Sequence, residues 1–185
     1  MITKQLEIGS PMPEFRGLPD VSGTTVSTAD WASGKVIVVV FSCNHCPYVQ
    51  AYEDRMIAFQ RDYGLKDVLL VAINSNETKN YPEDNFPEMV KRAKAKGFPF
   101  LYLRDEDQSV AETFGATHTP EFFVFARAGG SGPAVLHYHG KMDDNYQSAA
   151  AVKRHYLREA VDAILAGRPV AEPETHSIGC TIKWK

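Results

Sequence analysis

The chain passes through Phe41-Ser42-Cys43-Asn44-His45-Cys46-Pro47 at the point where a strand-like pattern gives way to a helical one. The run that enters this segment, Val36–Phe41, is apolar and mostly β-branched, which is typical of a strand buried on both faces of a parallel or mixed sheet. From residue 47 to residue 62, apolar side chains recur at helical spacing, which predicts a helix. The sequence therefore predicts a cysteine pair between a central strand and the helix that follows it.

Strand-like and helix-like segments alternate along the rest of the chain. Further strands are predicted at 67–74, 100–103, 122–125 and 134–139, the last two as a hairpin. Helices are predicted within 81–96 after a loop, at 107–114 and at 148–165. This order predicts one α/β domain over residues 1–185, with a central mixed β-sheet flanked by helices, an N-terminal extension at 1–30 and a C-terminal tail at 168–185.

Composition narrows the functional classes. The chain has 185 residues, of which 44% are hydrophobic and 23% charged, and its formal net charge is −3. A chain without a basic surface is not expected to bind nucleic acid or anionic lipid. The longest apolar run is far shorter than the roughly 20 residues that cross a bilayer, and the N-terminus shows no signal-peptide pattern. We therefore expect a cytoplasmic protein with no nucleic-acid or membrane partner, and leave open whether it is a monomer or a homodimer.

The chain contains three cysteines, too few for a disulfide scaffold and odd in number. Thiols stay reduced in the cytosol, so a close cysteine pair there points to catalysis or metal binding. A cysteine at a helix N-terminus is stabilised as a thiolate, which predicts Cys43 as the exposed, acidic nucleophile and Cys46 as the resolving thiol. Asn44 and His45 are expected to tune the pair, since a cation beside a thiolate favours the reduced form. The cofactor of such a site would be the Cys43–Cys46 disulfide itself, with no bound metal.

A C-x-x-C segment has other interpretations. It can form half of a zinc site, for which the remaining ligands would be Cys180 and one of His118, His137, His139 or His176. No second C-x-x-C and no H-x-x-x-H is present, so zinc is less favoured. Attachment of c-type haem is excluded because Pro47 follows the second cysteine. A third interpretation, that the two cysteines are simply small buried residues with no chemical role, fits poorly with their position between a strand and the start of a helix.

The strand, the Cys43-x-x-Cys46-Pro47 segment, the helix, and a later Thr119-Pro120 before an apolar strand together resemble the thioredoxin-like superfamily. Residues 6–23 look like the N-terminal extension of its peroxiredoxin and extracytoplasmic thiol-reductase branches. Residues 43–49, 140–144 and 178–184 are similar to a group called peroxiredoxin-like or thioredoxin family proteins, related to alkyl hydroperoxide reductase and thiol-specific antioxidant. The resemblance implies a thioredoxin-like fold and an antioxidant or thiol–disulfide oxidoreductase that acts on protein or small-molecule disulfides and dithiols.

The resemblance also implies roles for Thr119 and Pro120. Pro120 would follow a cis peptide bond and face the cysteine pair. The backbone of Thr119 would then pair with an extended peptide substrate in the manner of an added β-strand. The less favoured interpretation is an ordinary turn that starts a strand.

Three positions depart from the family patterns. Ile37 stands where thioredoxins carry a buried acid, so the proton acceptor for Cys46 is either missing or supplied from elsewhere, with Asp143 or Asp144 as candidates. Ser42 replaces the tryptophan that precedes the first cysteine. Peroxiredoxins place a threonine or serine three residues before their peroxidatic cysteine, and Val40 occupies that position. A thiol peroxidase that uses Cys43 is therefore the weaker alternative activity, and a redox-sensing or binding module on the same fold is the other.

Cys180 has two interpretations. In one, it is a third thiol that resolves or shields the Cys43–Cys46 pair. In the other, which the sequence favours, it is a small apolar plug in a packed C-terminal segment beside Ile178, Ile182 and Trp184, because buried free cysteines are common.

Overall fold

The computed structural model describes residues 4–185; the first three residues of the predicted N-terminal extension lie outside this range. In chain order the strands are β1 (Leu18–Pro19), β2 (Thr25–Val26), β3 (Val36–Phe41), β4 (Val68–Asn74), β5 (Leu101–Arg104), β6 (His118–Thr119), β7 (Glu121–Arg127), β8 (Ala134–Gly140) and β9 (Cys180–Thr181). The helices are α1 (Pro47–Tyr63), α2 (Phe86–Lys96), α3 (Ser109–Phe114) and α4 (Tyr156–Leu165). No helix within residues 4–185 combines the length and apolar character needed to cross a membrane.

Five strands form one central sheet in the order β5-β4-β3-β7-β8. Strands β3, β4 and β5 are parallel, and β7 pairs antiparallel with both β3 and β8. The parallel pairs are joined through α1 and α2, because parallel neighbours require a crossover connection. The predicted α/β domain with a mixed central sheet is confirmed.

Strand β3 separates two apolar cores. All six of its residues are completely buried, as its β-branched composition predicts. Because successive side chains of a strand point to opposite faces, Val36, Val38 and Val40 pack with α1, α2 and α4. The alternate residues, from Ile37 to Phe41, pack with α3 and with Phe15 and Trp31 of the N-terminal segment.

The N-terminal segment reaches both edges of the sheet. Along β8, Gly9 N donates to the Leu136 carbonyl and Leu136 N donates to the Ser10 carbonyl, each at 2.8 Å. At the opposite edge, Tyr102 N donates to Asp20 Oδ1 at 2.8 Å. These bonds occupy groups that would otherwise be open to pairing with another chain.

The predicted helix at 148–165 is wrong in its first half. Helix α4 begins at Tyr156, and a single 3-10 turn at Ala149–Ala151 precedes it. The Asp144 carboxylate accepts a hydrogen bond from Lys153 N at 2.9 Å, and Asp144 N donates to the Arg154 carbonyl at 3.1 Å. These bonds use backbone groups that a continuous helix would need, so the segment becomes helical only at residue 156.

The aromatic cluster beneath β3 provides a test of the packing. Phe114 is completely buried and meets Phe41, Phe123 and Phe125 edge to face, with ring centroids 5.4, 5.5 and 5.8 Å apart. We expect Phe114→Ala to lower the free energy of unfolding by about 3–5 kcal/mol, as other large-to-small core substitutions do. The control is Leu65→Ala, at a fully exposed side chain, for which we expect a change within about 0.5 kcal/mol. Equilibrium urea unfolding measures both, and similar values for the two variants would contradict this packing.

Candidate active site

Three sulfur atoms meet at the carboxyl end of β3. Cys43 is 2% exposed, Cys46 is completely buried, and Cys180 is partly exposed; all three are free thiols. The Sγ atoms of Cys46 and Cys180 lie 2.8 Å apart. Cys46 Sγ lies 3.3 Å from the Thr119 carbonyl oxygen, and Cys43 Sγ lies 3.5 Å from Thr119 Oγ1. The site therefore contains a third thiol in addition to the predicted pair.

The position of Cys43 differs from the prediction. Helix α1 begins at Pro47 with Cys46 as its N-cap, so it is Cys46 that lies at the helix start. Proline fixes this boundary because its missing N–H and its restricted φ suit the first helical position. Cys43 lies before the helix and is buried rather than exposed, so the expectation of an exposed thiol at the helix start is wrong.

The hydrogen bonds distribute the pKa values unequally among the three thiols. A hydrogen bond from the Cys43 thiol, with others from the Cys180 thiol and from backbone N–H groups of Val49 and Cys180, lowers the pKa of Cys46. The same bond between the pair, then burial and the charge of Asp84, raise the pKa of Cys43. Burial and the neighbouring Cys46 raise the pKa of Cys180 to about 11. Of the three thiols, Cys46 is therefore the one whose pKa is lowered, while the pKa values of Cys43 and Cys180 are raised.

Asp84 is a buried carboxylate that the sequence analysis missed. It ends the 3-10 turn Pro82–Asp84 and is completely buried. Its oxygens accept hydrogen bonds from Asn44 N at 2.6 Å and from Asn76 Nδ2 at 2.9 Å, and lie 2.5 Å from His45 Nδ1. The polar residues that follow β4 were the available signal, since loops at the carboxyl ends of adjacent parallel strands meet at one edge of a sheet.

Asn44 and His45, the predicted tuning residues, contact the segment that carries Asp84. Asn44 Nδ2 donates to the Glu83 carbonyl at 2.8 Å and Asn44 Oδ1 accepts from the Tyr102 hydroxyl at 2.8 Å. His45 stacks on Tyr81 with ring centroids 5.4 Å apart. Both side chains therefore hold the backbone between Cys43 and Cys46 in place, next to the Asp84 carboxylate.

The candidate acids at 143 and 144 are engaged elsewhere. Asp143 accepts hydrogen bonds from the Tyr52 hydroxyl at 3.0 Å and from Arg55 at 2.8 Å, and Asp144 caps the backbone at Lys153. Asp84 is therefore the carboxylate that lies beside Cys43.

One group among residues 4–185 has the geometry to hold a metal ion. The ligand atoms of Cys43, His45 and Asp84 lie within 4.8 Å of one another, and their sulfur, nitrogen and oxygen types are those zinc accepts. The group includes neither Cys180 nor any histidine expected for the zinc alternative. His139, for example, lies 2.7 Å from Glu121 Oε1 through its Nε2. The Asp84 oxygens already accept hydrogen bonds from two amides, so the group is better described as a hydrogen-bond network centred on Asp84, with Cys43 beside it.

The C-terminal tail occupies the edge predicted to receive a peptide substrate. Strand β9 pairs antiparallel with β6, so that Cys180 lies opposite Thr119, and the Thr119–Pro120 peptide is cis, as the resemblance implies. A Cβ atom on Gly179 would lie 2.1 Å from the Thr119 carbonyl oxygen, so only glycine permits this close approach.

The C-terminal segment around Cys180 is less packed than the apolar-plug interpretation expects, although Cys180 itself packs against Cys43, Cys46 and Val49. Ile178 and Trp184 are 45% and 41% exposed, so the segment is not packed on both sides of the cysteine. Only Ile182 of the expected apolar neighbours is buried. The Cys180 sulfur lies against Cys46 instead, so Cys180 joins Cys43, Cys46 and Thr119 in one cluster.

The sequence and the fold of this chain are both similar to those of known proteins. Residues 7–151 match the family model named Redoxin. A hypothetical protein from Sinorhizobium meliloti 1021 is 36% identical, with a TM-score of 0.89 over 98% of this chain and 97% of that one. An uncharacterized conserved protein from Geobacillus kaustophilus is 40% identical, with a TM-score of 0.89 over 98% and 94% of the two chains.

A more distant solved structure is a thiol:disulfide interchange protein of the thioredoxin family from Chlorobium tepidum TLS. It is 23% identical, with a TM-score of 0.56 over 70% of this chain and 84% of that one. This likeness confirms the thioredoxin-like fold. Comparison with curated proteins gives no match.

Titration of the thiols tests the assignment of the thiolate to Cys46. An ordinary cysteine loses its proton near pH 8.5, and a lowered pKa keeps the thiolate present until the pH falls through that lower value. We expect the ultraviolet thiolate absorbance of the reduced protein to persist well below neutral pH. It should persist in Cys43→Ser, where a hydroxyl can still donate to Cys46, and disappear in Cys46→Ser. Loss in the first variant and retention in the second would assign the thiolate to Cys43.

Proposed function

Because this chain belongs to the Redoxin family and is a thiol-based redox enzyme, we propose that it is a thiol–disulfide oxidoreductase in which Cys43 and Cys46 alternate between dithiol and disulfide. The observation that supports this most directly is the position of both thiols against Thr119, at the start of α1 and beside the cis Thr119–Pro120 peptide. Its substrates would be protein or small-molecule disulfides and dithiols of the cytoplasm. No bound cofactor is needed for this reaction, since the disulfide itself carries two electrons.

The reaction has two displacement steps. The Cys46 thiolate attacks one sulfur of a substrate disulfide, which forms a mixed disulfide and releases the other substrate sulfur as a thiolate. Cys43 then loses its proton and attacks Cys46 Sγ, which releases the second substrate thiolate and forms the Cys43–Cys46 disulfide. The substrate gains two electrons and the enzyme dithiol loses them, and the reverse sequence oxidises a dithiol substrate.

Asp84 and His45 lie where the second step needs a base. The raised pKa of Cys43 means that this thiol cannot attack until another group takes its proton. Ligand atoms of Asp84 and His45 lie within 4.8 Å of its sulfur. We assign this pair to accept the Cys43 proton during resolution of the mixed disulfide, in the place of the strand acid that Ile37 replaces.

Peroxidase activity has less support. Val40, at the position where peroxiredoxins carry a hydroxyl, is completely buried in the core with α1, so it contributes nothing to a peroxide pocket. A binding module would not require a lowered thiol pKa. Rapid oxidation of Cys43 or Cys46 by hydrogen peroxide would revive the peroxidase alternative, and a redox-independent stable partner would favour the module.

Trapping a substrate tests the order of attack. With an insulin or model-peptide disulfide, Cys43→Ser made in a Cys180→Ser background should accumulate a mixed disulfide on Cys46, because neither thiol that could resolve it is left. The matched variant, Cys46→Ser in the same Cys180→Ser background, should accumulate far less adduct, because the remaining Cys43 has a raised pKa. Peptide mass mapping after acid quenching identifies the modified cysteine. Accumulation on Cys43 in the second variant alone would reverse the two roles, and full turnover by both variants would exclude the proposed reaction.

Neutralising the buried carboxylate tests the proposed base. We expect Asp84→Asn to slow disulfide reduction by roughly 100-fold, near the lower end of general acid–base contributions. The charge of Asp84 raises the pKa of Cys43, so the same change should lower that pKa and make Cys43 alkylate faster at a given pH.

The matched control for this substitution is Asp144→Asn, which changes an exposed carboxylate that caps Lys153 N. We expect it to leave both the turnover and the pH profile of Cys43 alkylation unchanged. If Asp84→Asn alkylates Cys43 faster but reduces disulfides at the unchanged rate, the carboxylate affects the pKa of Cys43 without serving as its base.

A further inference from the structure

The tail that carries Cys180 is held on both sides of the cysteine. Upstream, His139 N donates to the Pro173 carbonyl at 2.9 Å, and Thr175 N donates to the His139 carbonyl at 3.0 Å. Downstream, Ile182 N donates to the Thr117 carbonyl at 2.9 Å. The approach of the Cys180 sulfur to the pair is therefore built into the backbone path.

The tail lies on β6 as an extended peptide substrate would. The pairing of Cys180 with Thr119 is a β-strand addition, in which backbone hydrogen bonds dock an extended segment at a sheet edge. Gly179 makes the close approach possible, and Cys180 then presents its sulfur to Cys46 at 2.8 Å. The chain thus supplies a tethered thiol at the position that a substrate thiol would take.

Access differs among the three sulfurs while the tail is docked. Cys43 and Cys46 are buried, whereas Cys180 is partly exposed. A partner in solution therefore reaches Cys180 before it reaches the pair. The tail that covers the peptide edge therefore leaves Cys180 as the cysteine of the three that is partly open to solvent.

We propose that Cys180 is a third redox-active residue, which exchanges disulfides with Cys46 and passes electrons between an external dithiol partner and the buried pair. This proposal rests on the proposed thiol–disulfide exchange and adds the route by which an external dithiol reduces the Cys43–Cys46 disulfide. The tail is the docking element of that route, and β6 is the surface that receives it.

The relay conserves atoms and electrons at each step. Starting from the Cys43–Cys46 disulfide, Cys180 attacks Cys46 Sγ, the Cys46–Cys180 bond forms, and Cys43 leaves as a thiolate that takes up the proton lost by Cys180. This step is an exchange with no net oxidation. A thiol of the dithiol partner then attacks Cys180, Cys46 leaves as a thiolate, and the second partner thiol releases Cys180. The partner is oxidised to a disulfide, and the enzyme gains two electrons.

Disulfide mapping of variants that each lack one of the three cysteines tests the relay. Cys43→Ser is equilibrated with mixtures of reduced and oxidised glutathione, quenched in acid, alkylated and mapped by mass spectrometry. We expect an intramolecular Cys46–Cys180 bond as the main oxidised product. The matched variant Cys46→Ser, which also keeps two cysteines, should form at least ten times less intramolecular disulfide under the same conditions. Separate glutathione adducts on Cys46 and Cys180 in the first variant, with no bond between them, would overturn the proposal.

A second variant tests the docking without changing a sulfur. Gly179→Val, made in the Cys43→Ser background, places a side chain where the Thr119 carbonyl lies, so the Cys46–Cys180 bond should form at least tenfold less readily against glutathione. The control is Ile178→Ala in the same background, at a side chain that is 45% exposed, for which we expect no change. Equal disulfide formation in the two variants would show that β6 does not position Cys180.

Failure of the relay can be told from failure of the proposed function. In the same glutathione mixtures, Cys180→Ser should still form the Cys43–Cys46 disulfide if thiol–disulfide exchange at the pair is correct. If that bond forms while Cys46–Cys180 never does, only the relay is overturned. If neither bond forms in any variant and the wild-type chain reduces no disulfide, the proposed function itself is overturned.

Discussion

The register of β3 with its two neighbours is the constraint on which the site depends. Phe41, the last residue of β3, lies opposite Ile73 of β4 and Glu121 of β7. The segment with Cys43, the loop that leads to Asp84 and the peptide bond after Thr119 therefore leave the sheet at one level. If β3 shifted by one residue along its neighbours, each of its side chains would move to the opposite face of the sheet and so into the other core. The complete burial of this strand on both faces thus holds the register, and the register brings the sulfurs and the carboxylate together.

Glu121 extends this constraint to the tail. Its Oε2 accepts hydrogen bonds from Thr117 N at 2.7 Å and His118 N at 3.0 Å, and its Oε1 lies 2.7 Å from His139 Nε2. A carboxylate that is 2% exposed is stable only with partners of this kind, because an unpaired buried charge is very unfavourable. The bonds fix the backbone of β6, and the backbone of His139 in turn binds the tail near Thr175. One buried side chain therefore braces β6 and, through His139, the part of the tail that precedes β9.

The sequence predicts the local features of this structure but not the contacts between residues far apart in the chain. The bounds of β3 and α1 follow from side-chain periodicity, and the Cys43–Cys46 pair is contiguous with both. Asp84 lies 39 residues from His45 and Cys180 lies 134 residues from Cys46, so no spacing rule within one sequence joins them. The expected exposure of Cys43 failed for the same reason, because the tail that closes the site comes from the far end of the chain.

The position of the buried acid has a consequence for the tail. A carboxylate at residue 37 would lie in the apolar core with α3, where little is present to satisfy it, whereas Asp84 reaches the cysteines from a loop that supplies donors. One of those donors, Asn76, binds Asp84 Oδ2 through its Nδ2 and accepts Lys183 N through its Oδ1, each at 2.9 Å. The side chain that holds the proposed base of Cys43 therefore also holds the end of the segment that carries Cys180. Undocking of the tail would remove the Lys183 hydrogen bond from Asn76, the side chain that also donates to Asp84.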